Sequence, residues 1–112
     1  MTFEKMSPKE LAEQLQGDEQ VILLDVRAEE KYNDFHIKNP NLQSVNIPKT
    51  VIFEIEEKGM ADALNGLPKG REVVVTCTTG NSAAKCAKIL DSLGYQVKIL
   101  DGGLTAWNEF RK

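Results

Sequence analysis

The sequence predicts an α/β domain whose mainly parallel sheet is flanked by helices on both faces. Short, continuous apolar runs at residues 21–24 and 73–76 are typical of strands that are buried on both sides. Helical patterns separate the runs, and strands joined by helical crossovers favour a parallel sheet. A chain of 112 residues fits one domain, residues 1–112, with a single modest core.

A capping box predicts the first helix. Ser7 is a favourable N-cap, Pro8 suits the first helical position, and Glu10 can close the box onto the main chain of Ser7. The helix is expected to end at Gly17, because glycine commonly follows the last helical turn.

The other elements follow from the alternation of apolar runs and turn residues. They are strands over residues 21–24, 45–47, 73–76 and 97–100, and helices over residues 28–34, 51–57, 60–64, 82–93 and 104–110. Pro48 stops the second of these strands, and Gly94 closes the longest helix. Residues 101–103 are expected to form a tight turn before the last helix.

Three of the predicted strands end next to polar or reactive residues. Asp25, Cys77 and Asp101 each follow an apolar run. In open parallel sheets the functional site lies outside the carboxyl ends of the strands. We therefore expect these three residues to share one rim of the sheet.

Charge and composition exclude several classes of function. Lysine and arginine total 14 and aspartate and glutamate total 17, which gives a net charge of 14 − 17 = −3 without a basic block. Nucleic acid is therefore not an expected partner. No apolar run approaches the roughly 18 residues of a spanning helix, and the first residues lack a signal-peptide pattern. A cytoplasmic protein without membrane attachment, metal or cofactor is predicted.

Cys77 is the candidate nucleophile. It lies between the end of a buried strand and the start of a helix, in the loop Cys77-Thr78-Thr79-Gly80-Asn81. Free N–H groups and the helix dipole at such a position favour a thiolate, which is the reactive form of cysteine. The alternative is a small buried side chain at a strand end, since free cysteine is often buried.

The residues after Cys77 are candidates for a substrate-binding loop. Thr78, Thr79, Gly80 and Asn81 can offer main-chain N–H groups to an anion, and Gly80 can also take the positive φ that closes the loop. Ser82 can bind a substrate oxygen or cap the helix, and we favour the cap.

Other conspicuous side chains have structural interpretations. Cys86 lies on an apolar helical stripe, which favours core packing over a role as a second redox thiol. Trp107 belongs to the last helix together with Leu104 and Phe110, and a core role is expected for it. The side chains of Lys31, Lys38, Lys49 and Lys85 are expected to be ordinary solvated charges unless one bends over the site.

The chain resembles single-domain rhodaneses from residue 6 to residue 110. The matching pieces are residues 23–27 with Glu30, His36-Ile37, residues 45–48, residues 75–77 with Gly80, residues 93–95, and residues 101–103 leading to Ala106-Trp107. Their order and spacing together are specific. The resemblance implies a three-layer rhodanese-like domain and a sulfurtransferase in which Cys77 accepts a sulfane sulfur as a persulfide and passes it on.

The same resemblance implies roles for residues outside the loop. Asp25 and Arg27 are expected to organise the neighbouring loops rather than to touch the substrate, and His36 is expected in a structural turn. The partners would be a small sulfane-sulfur donor and a thiol or other nucleophilic acceptor, with a protein acceptor also open.

The loop departs from the family pattern at one important position. Active rhodaneses often carry Cys-x-x-Gly-x-Arg, whereas here Gly80 is in place and Ser82 occupies the arginine position. No cation follows in the sequence before Lys85. Loss of a charge-assisted contact can cost on the order of 2–3 kcal/mol, so weak activity on thiosulfate is expected.

Two other functions compete with sulfur transfer. A non-catalytic rhodanese-like module that binds a partner or senses redox state is the main alternative, because the loop lacks the arginine. A cysteine phosphatase or arsenate reductase is disfavoured, because that chemistry needs a cation facing the oxyanion where this chain has Ser82.

Overall fold

The computed structural model describes residues 4–59, Leu64 and residues 67–111. In this part of the chain, strands and helices alternate in sequence order. The strands are β1 (Lys5–Met6), β2 (Val21–Asp25), β3 (Leu42–Asn46), β4 (Glu72–Thr76) and β5 (Gln96–Leu100), and the helices are α1 (Pro8–Gln14), α2 (Glu29–Asp34), α3 (Lys49–Lys58), α4 (Asn81–Ser92) and α5 (Gly103–Arg111).

The strands form a parallel sheet in the order β1-β5-β4-β2-β3. Asp25 at the end of β2 lies opposite Thr76 in β4 and Asn46 in β3. Because every pair is parallel, the carboxyl ends of these strands meet at one edge. The predicted α/β class with a parallel sheet is confirmed.

The two faces of the sheet bury two separate apolar clusters. Along β2, Ile22 and Leu24 pack with α3 and α4 on one face, whereas Leu23 packs with α1 and α5 on the other. This alternation is the period-2 geometry of a strand buried on both sides. Helices therefore cover both faces, and the three-layer arrangement is as predicted.

The first helix begins as its sequence predicts. The Ser7 hydroxyl accepts a hydrogen bond from the Glu10 main-chain N–H at 3.1 Å, and the Glu10 carboxylate accepts one from the Ser7 N–H at 3.2 Å. Pro8 is the first helical residue. This reciprocal cap satisfies two N–H groups that would otherwise lack partners.

Two strands differ from the prediction. β3 begins at Leu42 rather than residue 45, because pairing with Val21 of β2 extends it into polar sequence. β1 was not predicted, since two residues carry no periodicity, and it exists because Lys5 and Met6 pair with β5. The helical turns predicted over residues 60–64 fall outside the described residues except for Leu64, which is buried.

None of the helices in the described residues is long and apolar enough to cross a bilayer.

Glycine ends or begins several of these helices at positive φ. At Gly59, which ends α3, φ is +70° and a Cβ would meet nothing within 4 Å. At Gly103, which begins α5, φ is +61° and the backbone of the cysteine loop (residues 77–83) lies in direct contact through Cys77 and Thr78. The second of these glycines shapes the candidate site.

Candidate active site

The Cys77 sulfur lies at the start of α4, directly after β4. Its Sγ accepts hydrogen bonds from the main-chain N–H groups of Gly80 at 3.0 Å and Ala83 at 3.4 Å. Gly80 is the N-cap residue, with a φ of +105°, and α4 has no side-chain cap. The sulfur therefore takes the place that a Ser or Asp oxygen holds at other helix starts, where negative charge is stabilised.

The start of α5 fixes the cysteine loop from its other side. The Leu104 N–H donates to the carbonyl of Cys77, and the Thr105 N–H donates to the carbonyl of Thr78, both at 3.0 Å. A Cβ on Gly103 would lie 2.5 Å from the Cys77 oxygen and 2.7 Å from the Thr78 oxygen. The close approach thus requires glycine. The sequence indicated a turn here, but nothing in it indicated this contact.

A cavity of about 200 Å³ opens beside Cys77. Its walls come from the ends of β2 and β4, from α2, and from the starts of α3 and α4. Its lining residues are Val26, Arg27, Ala28, Lys31, Lys49, Cys77, Thr78, Thr79 and Ser82. Cys77 is only 5 % exposed, so reagents reach the sulfur through this cavity.

Cationic side chains from outside the cysteine loop line the cavity. Lys49 lies at the start of α3, and its Nζ is 3.5 Å from the Ser82 Oγ, while Lys31 and Arg27 also reach the cavity wall. Lys31 and Lys49 are exposed but line the cavity, which is the exception that the sequence left open for a lysine that bends over the site. Cations absent from the loop itself are supplied by other elements.

Ser82 does not cap α4, and that prediction is also wrong. Gly80 occupies the N-cap position, so Ser82 is the second residue of the helix, where its hydroxyl faces the cavity and Lys49. Thr78 and Thr79 line the cavity. Asn81 is exposed and does not line it.

Asp25 and Arg27 form a buried ion pair at the end of β2. The Arg27 guanidinium contacts the carboxylate through Nη2 at 2.8 Å and through Nε at 3.0 Å, and the Arg27 N–H adds a third donor at 2.9 Å. Nη2 also donates to the carbonyl of Phe35. The pair thus ties β2 to the segment after α2, and Arg27 in addition lines the cavity.

The predicted rim holds only in part. Asp25, Cys77 and Asp101 do follow neighbouring strand ends, but they do not share one site. Asp25 is 1 % exposed and its carboxylate is paired with the Arg27 guanidinium, whereas Asp101 is exposed and lies outside the cavity lining. Of the three residues, Cys77 alone faces the cavity.

Cys86 and His36 have structural surroundings. Cys86 is fully buried in the core beneath α4, where burial raises the pKa of its thiol to about 12; the Cys77 charge adds to this rise and Lys49 opposes it. The His36 ring stacks on Tyr32 at 3.8 Å and bonds to the Tyr32 carbonyl at 2.7 Å. Neither residue lines the cavity.

Trp107 is buried as predicted, but its neighbour Phe110 is 45 % exposed.

A larger open groove of about 870 Å³ lies at the amino ends of β2, β4 and β5, and its lining contains no cysteine. Within the described residues, no group of three or more His, Cys, Asp or Glu side chains could hold a metal ion. The cavity beside Cys77 is therefore the candidate active site.

Known proteins with similar sequences and structures share this architecture. The family model described as a rhodanese-like domain matches residues 7–110. A Bacillus subtilis protein with the name of a sulfurtransferase, YtwF, is 30 % identical over 107 residues, which are 96 % of this chain and 92 % of that protein.

Longer proteins match as well. The adenylyltransferase and sulfurtransferase uba4 of Ogataea parapolymorpha is 36 % identical over 98 residues, which cover 86 % of this chain; the chain spans only 22 % of the length of that protein. The crystal structure of a rhodanese-related protein from Thermoplasma volcanium superposes with a TM-score of 0.72 at 27 % identity, over 96 % of this chain and 93 % of that one.

Proposed function

The chain belongs to the rhodanese-like domain family, and we propose that it is a sulfurtransferase that carries sulfane sulfur as a persulfide on Cys77. The family and the relatives named as sulfurtransferases support sulfur transfer in general. Persulfide formation on Cys77 is the specific step that this proposal adds.

The observation that carries the proposal is the environment of the Cys77 sulfur. Two main-chain N–H groups at the start of α4 donate to Sγ, and the sulfur borders an open cavity of about 200 Å³. Fixed dipoles of this kind stabilise a thiolate without needing to reorganise during a reaction. The cavity beside Sγ leaves space for the outer sulfur of a persulfide.

The proposed reaction has two displacement steps. In the first, the Cys77 thiolate attacks the sulfane sulfur of a donor; a sulfur–sulfur bond forms, the donor's own bond to that sulfur breaks, and its electron pair leaves with the remainder of the donor. In the second, a nucleophile attacks the outer sulfur of the persulfide, and the Cys77 thiolate is released. No external oxidant or reductant is consumed.

The cavity supports small partners for the first step. A volume of about 200 Å³ accommodates a small sulfane-sulfur donor, and a thiol or another nucleophile would then enter as the acceptor, presented by a small molecule or by a protein. We expect no nucleic acid or membrane partner. A cytoplasmic location is part of the proposal, because reducing conditions would keep Cys77 and Cys86 as the free thiols they are.

Weak activity on thiosulfate is also part of the proposal. Ser82 stands where active rhodaneses often carry arginine, and a hydroxyl cannot make the bidentate, charge-assisted contact of a guanidinium. The main-chain donors at the start of α4 still hold the Cys77 sulfur, so the expected deficit concerns binding of the anionic donor.

Mass spectrometry of the protein after treatment with a sulfane donor tests the proposal. We expect the native protein to gain the mass of one sulfur atom on the peptide that contains Cys77, and Cys77→Ser to gain none. Cys86→Ala is the matched control; it removes the buried thiol and should retain the gain. Folding of each variant is verified by circular dichroism.

Two outcomes would contradict the proposal. If Cys86→Ala loses the added sulfur while Cys77→Ser keeps it, the assignment of the nucleophile is wrong. If folded native protein gains no sulfur from any of several donors, the non-catalytic binding or redox-sensing module becomes the better account.

A further inference from the structure

The cavity beside Cys77 has a cationic wall, which consists of Lys31 and Lys49. Arg27 also lines the cavity, but its charge is compensated by the Asp25 carboxylate at 2.8 Å. No carboxylate is among the lining residues, and no ion pair of the described residues includes Lys31 or Lys49. An anion that enters the cavity would therefore meet two uncompensated ammonium groups.

Lys49 is the better positioned of these two side chains. Its main-chain N–H donates to the Val26 carbonyl at 2.9 Å, which fixes the start of α3 against the end of β2. Its ammonium then reaches across to α4 and lies 3.5 Å from the Ser82 Oγ. Lys49 thus contacts the residue that occupies the usual arginine position of the loop.

The position of Lys49 is electrostatically unfavourable for its own helix. It is the first residue of α3, where the helix dipole repels positive charge, and the first turn of α3 contains no acidic residue. The start of α4 adds a second positive dipole end near the same cavity. A bound anion would relieve this repulsion. Anion binding is therefore more favourable here than in a pocket without positive charge.

We infer that Lys49, held by Ser82, binds the anionic end of the sulfur donor and supplies part of the attraction that the missing loop arginine would provide. This inference rests on the proposed function and names the donor class it favours: donors with a charged group beyond the transferred sulfur. When the Cys77 thiolate attacks such a donor, two anions approach each other. An ammonium group beside them lowers that repulsion, and the leaving anion departs with the electron pair.

The test compares donors of different charge. Thiosulfate is a dianion that releases sulfite, and methanethiosulfonate is a monoanion that releases a sulfinate. The rate at which Cys77 gains sulfur is measured for each donor, over a range of concentrations, in native protein, Lys49→Gln, Lys49→Arg and the control Lys85→Gln. Lys85 is exposed on α4 and does not line the cavity, so its variant removes the same charge elsewhere.

For Lys49→Gln we expect a loss of about tenfold in kcat/KM with thiosulfate and about threefold with methanethiosulfonate, mainly through KM. Lys49→Arg should restore most of the rate, and Lys85→Gln should leave it unchanged. The inference is overturned if Lys49→Gln behaves like Lys85→Gln, or if both donors lose the same factor. If native protein gains sulfur from neither donor, the result contradicts the proposed function itself. The inference about Lys49 then fails because it rests on that function.

Discussion

The cysteine loop, residues 77–83, and the cationic wall face the same cavity but are built in different ways. Main-chain groups make the loop; N–H groups of α4 hold the Cys77 sulfur, and N–H groups of α5 hold the loop carbonyls. The wall consists of two exposed lysine side chains from α2 and α3. The nucleophile is fixed by the backbone, whereas the charges around it are supplied by movable side chains.

This difference matches the two tasks of the site. A displacement at sulfur needs an attacking atom held in a defined geometry, and main-chain donors provide it without any loss of side-chain entropy. Attraction of an anion needs only charge within a few ångströms, and a lysine that must be ordered to supply it loses up to about 2 kcal/mol of rotamer entropy. Changes to the backbone contacts should therefore abolish sulfur transfer, whereas changes to the cationic wall should alter only its rate.

Arg27 shows that a charge on the cavity wall can have a structural role. Arg27→Ala leaves the Asp25 carboxylate buried without its cation and with only the main-chain N–H of residue 27 as a donor, and we expect the free energy of unfolding to fall by about 3–5 kcal/mol. Lys31→Ala is the control, because it removes an exposed cation from the same cavity and should change stability by about 0.5 kcal/mol or less. Urea denaturation measures both.

The same experiment has an internal check. Asp25→Asn in the Arg27→Ala background removes the unpaired charge and should recover part of the lost stability. Equal stabilities of Arg27→Ala and Lys31→Ala would show that the buried pair does not support the loops in the way described here.

Gly103 tests the backbone side of the comparison. Gly103→Ala forces a Cβ to within 2.5 Å of the Cys77 oxygen, so we expect a loss of about 3 kcal/mol in stability together with loss of sulfur gain on Cys77. Gly59→Ala has a similar positive φ but open space around its Cβ, and it should cost only about 1–2 kcal/mol and keep the reaction.

Denaturation and mass spectrometry of the two glycine variants separate the cost of backbone strain at positive φ from the cost of steric contact with the cysteine loop. If Gly103→Ala is no more destabilising than Gly59→Ala and still gains sulfur, the close contact between α5 and the cysteine loop is not required for the site.

Ser82 lies where the two regions meet, and its replacement tests whether they act together. Ser82→Arg places a guanidinium in the cavity, and we expect kcat/KM for thiosulfate to rise about fivefold, since Lys49 already supplies part of the attraction. In this background Lys49→Gln should cost less than in the native protein, which a double-mutant cycle measures.

The control for Ser82→Arg is Ser82→Ala. Because Ser82 does not cap α4, this change should alter stability by about 0.5 kcal/mol or less. Thiosulfate kinetics of Ser82→Arg that are unchanged or slower than native would show that donor charge does not limit the reaction.

The sequence predicted those features that depend on neighbouring residues. The capping box at Ser7, the buried strand β2 and the position of Cys77 before α4 all follow from short segments whose chemistry determines their structure. The longest helix and its apolar stripe through Cys86 follow from local periodicity in the same way.

The features that were missed depend on residues far apart in the chain. Lys49 and Ser82 are 33 positions apart, and only the packing of α3 beside α4 brings them together. The contact of Gly103 with the Cys77 carbonyl, and the pairing of β1 with β5, likewise arise from tertiary structure. Because Lys49 lies outside the loop motif, the sequence could not distinguish it from the other lysines that could bend over the site.

The most direct test of the central claim follows one sulfur atom through the protein. Native protein and Cys77→Ser are incubated with excess thiosulfate that is labelled at its outer sulfur, freed of donor, and then mixed with cyanide or a small thiol. We predict that native protein retains about one labelled sulfur per chain and releases it to the acceptor, while Cys77→Ser retains none. Label that native protein does not retain, or that Cys77→Ser retains equally, would contradict the account.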